Sequence, residues 1–272
     1  MPFCQYHGVN NHLVTILFEL KNWAMTEILT ATAEGVPANA NDLPAVPGGW
    51  ATKSVTIANR TIRLTSPRDP DSFLDDPDVT SAHAQSGYMP YWGYIWPAAW
   101  DMSGAVLEEK WPTDNGPLEV LEIGSGVGLV GLAALASGLS VTFSDYDPQA
   151  VASSLFNARQ NGWNNARGIV LDWRKPLDQK YPLIFGGDVI YERVNHEPIL
   201  NLLDAMLSDD GTCWLADPTR VRTEAFVMLA CRRGYRVEHR PLPEYPLPNR
   251  QQQPTDLWIL TKSKCRTEKA EG

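Results

Sequence analysis

Apolar positions change period several times along this chain, and each change marks an element. Val55, Ile57, Ile62 and Leu64 alternate with polar residues around Asn59-Arg60. A period of two broken by a turn pair predicts a β-hairpin. Further on, Pro97 suits the first turn of a helix that runs to about Lys110, closed by Pro112 and Gly116. Strands and helices then take turns. The pattern predicts strands over 118–123, 140–144, 167–171, 182–185 and 212–216. Between them it predicts helices over 129–137, 148–161 and 198–207, and another follows over 224–233, ending at Gly234.

Such alternation predicts an α/β fold, a Rossmann-like doubly wound sheet covered on both faces. Two further strands, 235–240 and 257–261, are joined by a Pro- and Gln-rich loop with no helical pattern. Strands joined without a crossover helix pair antiparallel, so a seven-strand sheet should finish with a reversed pair. The chain then divides into an extension (1–50), the hairpin and its lead-in (51–87), the α/β domain (88–262) and a polar tail (263–272). Residues 31–50, rich in Ala, Pro, Gly and Asn, read as a flexible lead-in. Met25-Thr26-Glu27 resembles an ordinary protein start, and the competing reading is an amphipathic helix over 13–28.

Polar residues gather where the strands end, at Asp145, Asp172, Asp188 and Asp217. Ligands of open α/β sheets bind outside those ends.

Charge and cysteine usage narrow the function classes. With 23 Lys+Arg against 32 Asp+Glu, the net charge of −9 argues against a broad basic face for nucleic acid. The basic residues Lys262, Lys264 and Arg266 read as a solvated end. No apolar run reaches 18 residues, so no membrane-spanning helix is expected, and 13–20 lacks the basic flank of a signal peptide. Cys4, Cys213, Cys231 and Cys265 form no C-x-x-C. Cys213 and Cys231 sit in apolar runs and read as buried thiols, which fits a reducing, cytoplasmic setting. Cys4 and His7 form a lone C-x-x-H without a second pair, so no metal site is expected.

The strongest chemical signal is Glu122-Ile123-Gly124-Ser125-Gly126-Val127-Gly128, directly after a strand and opening a helix. Glycines there allow a tight turn and a close approach of ligand to backbone, and the helix start offers free N–H groups. A dinucleotide fingerprint counted from Gly124 would need its last glycine at Leu129, which disfavours a nicotinamide dehydrogenase. The E-x-G-x-G-x-G pattern instead resembles motif I of class I S-adenosylmethionine-dependent methyltransferases. Asp145 follows Gly124 by 21 positions, a spacing suited to a ribose diol in either class.

Three further segments sharpen this resemblance: Tyr91-Trp92-Gly93-Tyr94-Ile95-Trp96-Pro97, Asp188-Val189-Ile190-Tyr191 and Asp217-Pro218-Thr219-Arg220. With the glycine turn, the W-x-x-x-W-P-like segment and the D-x-x-Y resemble the seven-β-strand protein lysine methyltransferases. The electron-transfer-flavoprotein β-subunit branch is the nearest in pattern, and D-P-x-R is similar to a turn of that branch. The resemblance spans about residues 50–262. It implies S-adenosylmethionine as cofactor, S-adenosylhomocysteine as product and a protein lysine as acceptor. It implies that Glu122, Gly124 and Gly126 hold the methionine end, with Ser125 and Gly128 of the same turn also at the cofactor. Asp145, beside Tyr146, would hold the ribose, and Asp172 with Trp173 the adenine. Trp96 would flank the cofactor. Asp188, also touching the cofactor, and Tyr191 would be the catalytic pair shaping the opening where the amine meets the methyl group.

That chemistry needs a neutral amine in line with a reactive methyl. Alignment alone supplies roughly 7–11 kcal/mol in the best intramolecular cases. A lysine, with a reference pKa near 10.4, must first lose a proton. An apolar aromatic pocket helps that loss, whereas a carboxylate opposes it. Asp188 is therefore read as orienting and attracting the amine, with the proton going to water and a general-base role as the alternative. Tyr91, Trp92 and Trp96 read both as core and as a cation–π channel. His196 reads mainly as a solvated cap neighbour, with a rim base as the other option. Arg220 reads as capping or pairing with Asp217, with an acidic substrate patch as the alternative, and His83 and His239 have no partner legible in the sequence. Two other functions compete on the same fold: a small-molecule N-methyltransferase and a non-catalytic S-adenosylmethionine-binding scaffold.

Overall fold

The computed structural model describes residues 29–30, 43–112, 116–218, 220, 223–246 and 254–262. The Met25 start, the 13–28 helix, the Cys4–His7 pair, the lead-in over 31–42, Thr219 and the 263–272 tail lie outside the described residues.

Strand β1 (Leu29–Thr30) adds to one edge of the main sheet. β2 (Trp50–Ile57) and β3 (Arg60–Pro67) form the expected hairpin. Its turn is Ala58-Asn59, one residue earlier than the pattern suggested, and both residues have positive φ (45° and 61°). A two-residue loop of that hand matches the twist of the strands it joins. Ile57, Ile62 and Leu64 point into the main core.

Two helices precede the alternating region. α1 (Pro77–Ser86) was not legible in the sequence, because it buries no side chain and so carries no apolar stripe. Its start is local: Asp76 accepts from the N–H groups of Asp78 and Val79, and Pro77 fixes the first turn. α2 (Pro97–Glu108) follows the aromatic segment as expected.

The alternating elements are β4 (Glu119–Ile123), α3 (Leu129–Ala136), β5 (Ser140–Asp145), α4 (Pro148–Gln160), β6 (Ala166–Val170) and β7 (Tyr181–Gly187). They continue with α5 (Arg193–Met206), β8 (Leu207–Pro218), α6 (Thr223–Arg232), β9 (Tyr235–Pro241) and β10 (Thr255–Lys262). α5 begins at Arg193, ahead of the expected 198, with Pro198 inside it. Proline removes one backbone donor there. The buried stripe of His196, Ile199, Leu200, Leu203 and Met206 outweighs that loss.

The sheet order is β1-β6-β5-β4-β7-β8-β10-β9. Neighbours from β6 through β8 are parallel. β10 pairs antiparallel with both β8 and β9, and β1 pairs antiparallel with β6. The final two strands are therefore antiparallel to each other, as the helix-free connection predicts, and β10 is the one that opposes the parallel strands. β1 makes the sheet eight-stranded rather than seven.

Alternate residues of the central strands feed two cores. Val120, Phe143 and Phe185 join Met102 and Leu132 on one face. Leu121, Ile123 and Ile184 join Leu203 and Phe226 on the other. Cys213 is buried as expected, but Cys231 is exposed. On α6 the buried positions are Thr223, Phe226 and Ala230, and a residue one step past Ala230 turns about 100° away from them. Among the described residues no helix is long and apolar enough to cross a membrane.

Candidate active site

A cavity of about 1360 Å3 opens at the carboxyl ends of β4 to β7. Its wall brings together Trp96, Glu122, Gly124, Ser125, Gly126, Asp145, Tyr146, Asp172, Trp173, Asp188 and Tyr191, eleven of the twelve positions singled out in the sequence. Gly128 is the exception. It caps the start of α3 in the left-handed conformation, and a Cβ there would meet Ser154 at 2.8 Å, so it faces α4 rather than the cavity.

The glycine turn leaves β4 and enters α3. At Gly126 φ is +55°, and a Cβ would lie 3.0 Å from the Trp92 carbonyl oxygen. Only glycine lets this backbone lie bare under the aromatic segment. Asp145, at the end of β5, accepts from Gly126 N–H (2.9 Å) through Oδ2 and from Asp147 N–H (3.0 Å) through Oδ1. Desolvation outweighs those bonds and pushes its carboxyl up to about 6. Glu122 is buried, and its Oε2 accepts from Gly131 N–H (3.0 Å) in the first turn of α3. Burial pushes Glu122 up to about 8.

Beside Asp145, Asp147 caps α4 through Gln149 N–H (2.8 Å) and also receives the Tyr88 hydroxyl. Burial foremost, then the Asp147 charge, pushes Tyr88 well above the ordinary phenol range. Both residues line the cavity, and sequence reasoning missed both. An acidic N-cap before Pro148 was the available signal for Asp147.

At the next strand end, burial raises the Asp172 carboxyl, but hydrogen bonds from Arg174 outweigh it and hold the group below its ordinary value. The Arg174 guanidinium grips both Asp172 oxygens (2.8 and 2.9 Å) and its carbon lies 6.0 Å from the centre of the Tyr146 ring. Trp173 packs near Gly124, where a Cβ would come within 3.3 Å of its ring.

The D-x-x-Y follows β7, the strand beside β4. Asp188 follows β7 with φ +59°, its N–H donates to the Ala216 carbonyl (2.8 Å), and its side chain is 3% exposed. A non-glycine residue in this region stores strain that is common at functional sites. Both Asp188 oxygens are taken by Arg220: Nη1 donates to Oδ1 (2.5 Å) and Nη2 to Oδ2 (3.3 Å). Arg220 also reaches Asp217 (2.9 Å), so the expected Arg220–Asp217 pairing is present. The sequence did not foresee the Asp188 contact, which corrects the picture of Asp188 as an open carboxylate awaiting an amine.

Tyr191 stands edge-on to Tyr91, with ring centroids 6.3 Å apart, and Tyr91 stands edge-on to Trp96 at 6.1 Å. Desolvation, helped by the nearby Glu192, Tyr91 and Asp188, pushes the Tyr191 hydroxyl up to about 12. The Trp96 ring N–H donates to the Tyr91 carbonyl (3.1 Å). Trp92 belongs to a small apolar cluster with Phe73 and also lines the cavity, so core and cavity roles coexist.

The other histidines are structural or remote. His196 is buried, not solvated at a cap. Its Nε2 donates to the Ile190 carbonyl (2.9 Å) and its ring packs edge-on to Phe226. His239 stacks on Trp258 and bonds Asp256 (2.7 Å) on the β9–β10 pair. His83 lies on the cavity rim. Among the described residues no His/Cys/Asp/Glu cluster could hold a metal ion.

The donor set suits a nucleoside carrying an amino-acid tail. The start of α3 suits a carboxylate, the carbonyl groups of the bare turn suit an ammonium, Asp145 suits a ribose diol, and Trp173 offers a stacking face for a base.

The chain is similar to several known proteins. A family model described as lysine methyltransferase matches residues 85–230. A histidine protein methyltransferase 1 homolog from Dictyostelium discoideum is 31% identical over 160 residues, covering 56% of this chain and 49% of that protein. The electron transfer flavoprotein β-subunit lysine methyltransferase of Mus musculus is 29% identical over 168 residues, covering 60% of this chain and 62% of its own length. The matches thus span from about half to under two thirds of these relatives' own length. In structure, a glycopeptide N-methyltransferase solved with S-adenosylmethionine aligns with a TM-score of 0.50 at 11% identity, over 62% of this chain and 96% of that one, which speaks to the fold alone.

Proposed function

The chain belongs to the lysine methyltransferase family, and from that footing we propose that it transfers a methyl group from S-adenosylmethionine to a side-chain nitrogen of a protein, in the first reading a lysine amine. The observation that carries this is the shared cavity whose wall holds the glycine turn, Asp145, Asp188 and Tyr191. The bound cofactor supplies a methyl group on a sulfonium, already activated. What remains for the protein is to bind, to align and to exclude water.

Glu122 braces the first turn of α3 and so fixes the backbone that would hold the methionine end. Asp145 ties the glycine turn to the end of β5 and would accept from the ribose hydroxyls. Trp173 would cover the adenine. Because Arg174 occupies both Asp172 oxygens, Asp172 would meet an adenine amino group only through a remaining lone pair. Trp96 and Tyr91 would close the cofactor from the side. The incoming nitrogen would pass Tyr191, whose hydroxyl stays protonated at neutral pH and can donate or accept a hydrogen bond. The amine proton leaves to water before the nitrogen attacks.

A second reading has a specific observation in its favour. Asp188, with both oxygens on Arg220, is poorly placed to draw in an ammonium. That favours an acceptor that arrives uncharged, such as a histidine imidazole, the residue in the name of the Dictyostelium discoideum relative.

The deciding experiment incubates the purified protein with methyl-labelled S-adenosylmethionine and a cell lysate, then separates acid-precipitable from soluble label. Label in a discrete protein band, hydrolysed to methyllysine, is the expected result, and methylhistidine selects the second reading. Label confined to small molecules overturns the protein-acceptor proposal.

A further inference from the structure

Building on the methyl-transfer reading, we propose that Arg220 sets the charge state in which the acceptor nitrogen is held, by occupying the carboxylate that would otherwise trap it as a cation. The geometry begins with Asp188 and Asp217, whose side chains are 3% and 1% exposed. Both come from strand ends, β7 and β8, and both meet one guanidinium. Asp217 also accepts from the Thr223 hydroxyl (2.6 Å) at the start of α6, so it keeps a partner of its own.

Without the guanidinium, Asp188 would stand in the cavity wall as a buried carboxylate without a cation. An ammonium entering there would find a negative charge with free acceptor lone pairs. Opposite charge within about 4–6 Å favours the charged form of an amine. A nitrogen held as ammonium has no lone pair and cannot form the new N–CH3 bond. Arg220 changes both features. It sets a positive charge against the Asp188 carboxylate, and it fills both oxygens of Asp188 with a bidentate grip that an ammonium point charge does not match. The group of the three with substantial exposure is the guanidinium itself, at 34%.

Glu192, Tyr191, Tyr91 and Asp145 are the groups whose charges act on this end of the cavity, and the wall further along carries Glu122, Asp147 and the Asp172–Arg174 pair. Arg174 is committed to Asp172, and Arg220 is the cation that stands against Asp188. The consequence is large for lysine and small for histidine. Reference pKa values near 10.4 and 6.5 leave roughly one lysine in 2500 uncharged at pH 7, against about three quarters of imidazoles. A site that does not stabilise the cation gains most where the neutral form is scarce.

The test uses the full chain, first titrated with S-adenosylhomocysteine by calorimetry. The loaded protein is then titrated from pH 6 to 10 with n-butylamine, standing for a lysine side chain, and with 4-methylimidazole, standing for a histidine. Wild type should bind n-butylamine more tightly as pH rises, and R220Q should bind it at least tenfold more tightly than wild type at pH 7, with the pH dependence flattened or reversed. R220K, which keeps a cation, should restore part of the wild-type profile. The 4-methylimidazole arm should change little between wild type and R220Q above pH 7. Preference of wild type for the ammonium form at pH 7 overturns the proposal, and does so even if R220Q fails to fold by circular dichroism. An R220Q profile matching wild type also overturns it. Absence of S-adenosylhomocysteine binding overturns the methyl-transfer reading instead, and the Arg220 proposal with it.

Discussion

Asn157 and Thr65 lie 92 positions apart and exchange two hydrogen bonds as though the side chain were a neighbouring strand. Thr65 N–H donates to Asn157 Oδ1 (2.8 Å), and Asn157 Nδ2 donates to the Thr65 carbonyl (2.9 Å). Asn161, one turn later on α4, repeats the exchange with Arg63 (2.9 and 2.7 Å). The second Nδ2 hydrogen of Asn157 goes to the Val127 carbonyl (2.9 Å) inside the glycine turn. One buried amide therefore docks the hairpin, finishes the edge of β3 and braces the cavity floor.

Asn157→Ala strands buried donors and acceptors on two other segments, which costs about 1–3 kcal/mol for each group left unpaired. The expected loss is roughly 2–4 kcal/mol in urea unfolding, seen as a lower midpoint. Asn161→Ala, at a more exposed pair, should cost under about 1 kcal/mol. Equal effects of the two substitutions would contradict the assignment of Asn157 as the central brace.

Glu122 gives a pH signature. Its folded value, raised to about 8 by burial, lies above an ordinary value of 4.5. A group of this kind binds more protons in the folded state, so its contribution to stability is complete below about pH 4.5 and is lost as pH rises toward 8. The size is of order a few kcal/mol. Glu122→Gln keeps an acceptor for Gly131 N–H and removes the charge. Its melting temperature should vary less than wild type's between about pH 5 and 8, and should exceed wild type's near pH 8. A pH slope identical to wild type would show that Glu122 is not the source.

Asp145→Ala removes the acceptor of Gly126 N–H together with the proposed ribose contact. Losing hydrogen bonds to a charged group costs about 1.5–3 kcal/mol each. S-adenosylhomocysteine affinity should fall on the order of 10- to 100-fold in calorimetry, and Asp145→Asn should retain part of it. Unchanged affinity in the alanine variant would move the ribose elsewhere.

Asp188→Ala should separate binding from turnover. Asp188 stands at the end of β7 on the cavity wall, and its side chain is committed to Arg220. S-adenosylhomocysteine affinity should stay within a few-fold, while methyl transfer to the acceptor protein falls by roughly 100-fold or more, because the Arg220 guanidinium that Asp188 anchors is released and the acceptor side of the cavity loses its shape. Equal loss of both would place Asp188 in the cofactor site.

The order of the central elements, the glycine turn and the acids at the strand ends were legible along the chain. These are local facts. Alternation, capping and turn chemistry act within a few residues, so a period of two or of 3.6 and a run such as Glu122–Gly128 carry their own structural meaning. The antiparallel close of the sheet followed for the same reason, since a connection without a helix leaves no route for a parallel crossover. α1 escaped notice because nothing on it is buried, and Cys231 was misread because composition cannot say which side of α6 faces the sheet. Tertiary structure alone decided the partners of the polar groups. Asp188 and Arg220 are 32 positions apart and meet because β7 and β8 end side by side. Asn157 finds Thr65 because the hairpin folds back onto α4. Charges and amides satisfy whichever neighbour the packed chain brings within about 3 Å, and that distance belongs to the whole fold rather than to any stretch of it.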